Sequence, residues 1–161
     1  MFAIKSGKVV VSDPCYERGT WCQAVLENVK NGNWISNYKL NSEGSVSEIV
    51  AFIGFEPHQW EKISAEIGVD SGQAGIFDEF SYRNDSLIKE NPKWYFDKNE
   101  IGDKFYGKCC DITLDEQAGE LEMGFVSSSG YGDGGYDCFI SKNSTGEIIG
   151  IKVVFISEED E

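Results

Sequence analysis

Residues 148–156 constrain the fold more than any other stretch: the run is apolar on both faces apart from Lys152. A strand of that pattern belongs in the interior of a sheet rather than at its edge. Further runs rich in β-branched and aromatic residues recur along the chain, each closed by a turn signal. Residues 8–12 stop at Asp13-Pro14, where the proline cannot continue a ladder. Residues 21–29 and 34–40 read as two strands about Asn31-Gly32, a dipeptide that suits a type I′ hairpin turn because both positions need positive φ. Residues 48–56 and 63–70 are two more, separated at 57–60 by a loop or single helical turn, and 104–114 is another. Residues 122–128, 135–142 and 147–156 read as a three-stranded meander, with turns at Asp133-Gly134 and 143–146. The least regular part is 80–102, which is polar, holds Pro92, and reads as a long surface excursion with a short helix.

About eight or nine short strands at this spacing give an all-β fold, a mainly antiparallel sandwich or partly closed barrel with short helical turns. A chain of 161 residues buries roughly 70% of its unfolded surface, so neither a disulfide nor a metal is needed to hold its core. One β-rich domain is expected over residues 1–157, followed by an acidic tail at 158–161 that frays.

The net charge of −14 is unevenly spread: residues 41–80 carry one basic and eight acidic side chains, and 121–161 carry two and eight. Such a surface repels nucleic acid. It serves solubility, or it meets a basic protein that normally holds DNA or RNA. The five cysteines (Cys15, Cys22, Cys109, Cys110 and Cys138) are odd in number and fit free thiols in a reducing cytosol. No apolar leader opens the chain and no apolar run reaches the ~18 residues of a membrane span. Zinc lacks its C-x-x-C spacing, and on a strand Cys109 and Cys110 would face opposite ways.

Three stretches concentrate the groups that bind ligands. Residues 127–136 crowd Ser127, Ser128 and Ser129 with glycines, Asp133 and Tyr136, so backbone amides can come close to an anion or a polar molecule. Gly130, Gly132 and Gly135 match a dinucleotide fingerprint literally, but a strand follows where the fingerprint needs a helix. The serines lack a nucleophile elbow. Residues 69–78 run from a strand end through Asp70, Ser71 and Gln73 to Ile76-Phe77-Asp78. Asp70 there either caps a turn or joins Asp78 and Asp133 around a hard cation, although the spacing is not that of a calcium loop. Residues 12–16 hold Asp13, Cys15 and Tyr16. Asp13 reads as a turn cap and Cys15 as a small apolar residue. The catalytic alternative makes Cys15 a nucleophile, but the single histidine, His58, lies in an unrelated turn with no orienting carboxylate.

These stretches, together with Phe105-Tyr-Gly-Lys-Cys-Cys-Asp111, resemble a family of uncharacterised phage, prophage and bacterial proteins that carries a domain-of-unknown-function label. The resemblance runs from Val9 to Phe155. It implies one β-rich domain in a phage or bacterial cytosolic setting, and it assigns no activity and no catalytic residue.

If the strand ends gather at one rim, the turns form a polar pocket walled by Tyr16, Phe77, Tyr131 and Tyr136. The leading expectation is therefore a non-enzymatic binding protein that sequesters a small polar ligand or blocks a host defence factor. Its contacts would be Asp13, Cys15, Tyr16, Asp70, Ser71 and Gln73 from the first two turns. Phe77, Ser127, Ser128, Ser129, Gly132, Asp133 and Tyr136 would supply the rest. No cofactor or metal is assigned. The alternatives are an acidic mimic of nucleic acid that inhibits a host protein, and a small hydrolase that depends on a metal or on Asp13, Asp70 or Asp133.

Overall fold

Val9, Val10 and Val11 are buried without exception, because the strand they form is covered on both faces. Val9 and Val11 point into a core shared by two sheets, and Val10 points into a second core beneath a helix. The layers are thus sheet, sheet and helix. A computed structural model describes residues 1–94 and 100–160.

The strands are β1 (Phe2–Ile4), β2 (Val9–Ser12), β3 (Ala24–Leu26), β4 (Gly32–Leu40), β5 (Val46–Phe52) and β6 (Glu61–Val69). After them come β7 (Gln73–Asp78), the helix α1 (Asp103–Glu116), β8 (Ala118–Leu121), β9 (Gly124–Ser128), β10 (Gly134–Lys142) and β11 (Ile148–Val154). One sheet has six strands in the order β1-β4-β5-β11-β10-β6, and the other has five in the order β3-β2-β7-β9-β8. Every ladder is antiparallel. The protein is an all-β sandwich without a closed barrel. As its pattern requires, β11 lies between β5 and β10. Lys152, its one charge, lies on the outer face with its ammonium 4.7 Å from the Trp60 ring centre and 5.1 Å from that of Phe139.

Both flanks of the sandwich are tied across the sheets. On one, the Ala3 amide donates to the Glu122 carbonyl at 3.1 Å. On the other, the Gly68 amide of β6 donates to the Cys22 carbonyl at 2.9 Å. β6 otherwise pairs only with β10, and the register between them slips between Asp137 and Phe139.

Several local expectations are corrected. Asn31-Gly32 does not turn a hairpin, because β3 and β4 belong to different sheets. The segment before β4 is bonded elsewhere: Val29 to Gly7 and Lys30 to Ile148 through the backbone, with the Asn31 side chain accepting from the Gly7 amide. Gly32 sits at φ 142, a conformation that strains any residue with a side chain, so the crossing favours a glycine. The C-terminal meander is only the hairpin β10–β11, since β9 lies in the other sheet and residues 129–133 cross between layers. Residues 104–114 are helical. Phe105 and Cys109 face the second core at a spacing of four, with Ile112 continuing the stripe, and β propensity loses to that amphipathic period. Within 80–102 a 3₁₀ turn forms at Asp85–Leu87, and residues 95–99 of that stretch lie outside the described residues. Glu158–Asp160 forms another 3₁₀ turn. No helix among the described residues is long and apolar enough to cross a membrane.

Candidate functional site

β2 and β7 pair with Ser12 opposite Gly75, so the exit of β2 and the turn before β7 reach the same end of the sandwich. Asp13 lies there, fully buried, and all its acceptor capacity is spent on the protein. Its Oδ1 accepts from the Cys15 amide at 2.8 Å and the Ser71 hydroxyl at 2.6 Å. Its Oδ2 accepts from the Asp70 amide at 2.8 Å and the Ser71 amide at 2.7 Å. The glycine-rich segment closes on the other side of the same turn. Asp133 accepts from the Gly72 amide at 3.1 Å, and the Ser129 amide donates to the Gly72 carbonyl at 3.0 Å. Tyr136 braces that segment by donating from its hydroxyl to the Gly132 carbonyl at 2.5 Å.

Helix α1 supplies the fourth side. Gln73, buried at the start of β7, donates to Cys110 Sγ at 3.4 Å and accepts from the Thr113 hydroxyl at 3.2 Å. Tyr106 lies against Ser71 and Cys110, and burial pushes its hydroxyl up to about 12. All four sequence stretches therefore meet at residues 70–73. Most of the expected contact residues belong to this junction: Asp13, Cys15, Asp70, Ser71, Gln73, Ser129, Gly132, Asp133 and Tyr136. Ser128 pairs with Gln73 across β9 and β7, and Ser127 is buried with its hydroxyl on the Ser128 carbonyl. Tyr16 is half-buried and joins through its carbonyl, which accepts from the Tyr82 hydroxyl at 2.6 Å.

Two residues fall elsewhere. Phe77 is fully buried in the second core, with ring centres 5.2 Å from Phe105 and 5.4 Å from Tyr82, so it walls no junction pocket. Asp78 sits at the far end of β7, which removes it from any cation site with Asp70 and Asp133. Among the described residues, no group of three histidine, cysteine or acidic side chains is placed to hold a metal.

The junction's chemistry is that of a frame. Burial, and then the Asp13 carboxylate, push the Cys15 thiol up to about 12, so it stays protonated at neutral pH and is a poor nucleophile. His58 lies in the loop over the outer face of the six-stranded sheet, where neighbouring Pro57 and Trp60 pack on Gly150. Tyr82 adds to the frame with its hydroxyl 3.0 Å from the Asp13 carbonyl, and Arg83 by donating to the Pro14 carbonyl at 2.9 Å.

Comparisons of the chain with protein-family models, with curated proteins and with solved structures find no match.

A concave site of another kind lies beside α1. A cleft of about 390 Å³ opens between the helix, residues 87–90 and the β8–β9 turn. Its buried and half-buried lining is apolar apart from the Ser81 hydroxyl: Phe105, Met123, Leu87, Ile88 and Leu121. Its exposed lining is four charges, Lys89, Glu90, Lys108 and Glu122. None of the four side chains makes a hydrogen bond or ion pair among the described residues. The sequence carried no motif for this cleft, because one wall comes from the irregular 80–102 segment and another from the helix that reads as a strand. The period of Phe105, Cys109 and Ile112 was the available signal.

Proposed function

We propose that the protein is a non-enzymatic binding protein whose small ligand enters the cleft beside α1, while the four-stretch junction holds helix and sheets in register around it. The observation that carries this reading is the contrast between the two places. At the junction, the buried carboxylate of Asp13 meets four donors of the protein itself. In the cleft, apolar walls and charges unengaged among the described residues face about 390 Å³ of space. Ligand sites combine apolar lining with a few polar groups in this way, and the volume falls at the small-molecule end of their range. Cys15, held as a thiol, supports binding over covalent catalysis. The motif resemblance to phage, prophage and bacterial proteins, together with five unpaired thiols, supports a bacterial cytosolic setting.

The test is a thermal-shift screen of metabolites followed by native mass spectrometry, on the wild type and on Leu121→Arg and Asp70→Asn. A ligand at a hundredfold excess over its Kd should raise the wild-type Tm by roughly 5–10 °C. Leu121→Arg, which fills the cleft from a half-buried position, should abolish the shift, and Asp70→Asn should leave it intact. The reverse pattern would move the ligand to the junction, and a chain that shifts with no compound would overturn the reading.

A further inference from the structure

The cleft's charges are balanced, and that balance is local. The chain as a whole carries −14, yet the exposed lining here is two lysines and two glutamates, a sum of zero. Here the four are unengaged among the described residues and rim one apolar hollow. Resting on the binding reading above, we propose that the cleft recognises an apolar zwitterion, that is, a free hydrophobic α-amino acid or a short hydrophobic peptide with both ends unblocked.

The reasoning is chemical complementarity. An anionic amphiphile would satisfy Lys89 and Lys108 but would be repelled by Glu90 and Glu122 at the same rim. A cationic one meets the opposite conflict. A neutral apolar molecule would fill the hollow and leave all four charges without partners. An ammonium and a carboxylate a few ångströms apart answer both signs at once, while the side chain lies on Phe105, Leu121 and Met123. About 390 Å³ is enough for such a molecule and small for a folded partner's surface.

The experiment is titration calorimetry of the full chain with L-leucine, L-phenylalanine and Leu-Leu. Controls are N-acetyl-L-leucine (no ammonium), L-leucinamide (no carboxylate) and 4-methylpentanol (neither charge). The zwitterions should bind, and each singly blocked compound should bind roughly ten-fold more weakly or worse. In Lys89→Gln combined with Lys108→Gln, the preference for leucine over leucinamide should disappear while the preference over N-acetyl-leucine persists. Glu90→Gln combined with Glu122→Gln should do the converse. All four positions are exposed, so these variants are expected to fold. Equal binding of N-acetyl-leucine or of 4-methylpentanol, lost in Leu121→Arg, would overturn the zwitterion proposal and leave the cleft as a binding site. Failure of all six compounds to bind the wild type would overturn the zwitterion proposal, and the metabolite screen then decides the fate of the cleft.

Discussion

Asp13 and Asp78 are the same device used twice. Each is fully buried, and each carboxylate accepts three backbone amides and one serine hydroxyl. In each case one amide comes from the residue two positions on, Cys15 or Phe80. The others come from a residue pair brought from another part of the chain, Asp70-Ser71 or Lys5-Ser6. Because β2 and β7 are antiparallel, the two latches stand at opposite ends of one strand pair and fix loops that would otherwise leave buried amides without acceptors. Removing either carboxylate exposes the full cost of those donors. Asp13→Ala and Asp78→Ala should each cost about 3–5 kcal/mol, whereas Asp70→Ala, at an exposed carboxylate, should cost under about 1 kcal/mol. Urea unfolding followed by tryptophan fluorescence measures all three. An Asp13→Ala midpoint no lower than that of Asp70→Ala would sink the latch interpretation.

At the scale of elements, α1 is seated on its sheet through the Phe105 ring. Phe105 places its ring 5.2 Å from Phe77 and 5.5 Å from Tyr82, over Val10 and Val126. The Asp85 carboxylate accepts from the Phe105 amide at 3.0 Å, satisfying a donor that the helix N-terminus leaves open. Phe105→Ala should therefore cost about 3–5 kcal/mol and loosen the helix from its sheet. Hydrogen exchange across 103–116 should accelerate well beyond that of the six-stranded sheet, and uniform acceleration would show that helix and sandwich open together. This helix also marks where reading residues in order stops being enough. Strands such as β2, β6, β10 and β11 were legible because local pattern and burial agree there. The end of β2 at Asp13-Pro14 followed from the same signals, whereas the meeting of the three glycine- and carboxylate-rich turns with α1 did not, because 104–114 reads as a strand. What was not legible was partnership: which sheet β3 and β9 enter depends on contacts between distant segments, such as Val29 with Gly7. The cleft was hidden for the same reason, since no single segment contains it.

For the whole molecule, charge works against cohesion. The −14 is distributed over a sandwich whose ion pairs sit mainly on exposed side chains, as with Lys8–Glu27 at 3.6 Å and Lys142–Glu61 at 3.5 Å. Such pairs contribute little, while the summed like charge favours the expanded chain. Screening should therefore stabilise the protein: the Tm should rise by roughly 3 °C between 20 and 300 mM sodium chloride. A fall would mean that attractive pairs outweigh the overall repulsion. The layers answer that repulsion with bonds across both flanks, at Ala3–Glu122 and Gly68–Cys22.

The slipped register in β6 has a consequence for life in a crowded solution. A nine-residue strand at a sheet's border could seed accretion of other chains along its free side. Its bulge bends that border, and Glu61, Lys62 and Glu66 line it with charge, so an incoming strand finds neither a straight template nor a dry one. Discouragement of edge-to-edge pairing is thus written into the same strand whose last residue leads to the Asp13 latch.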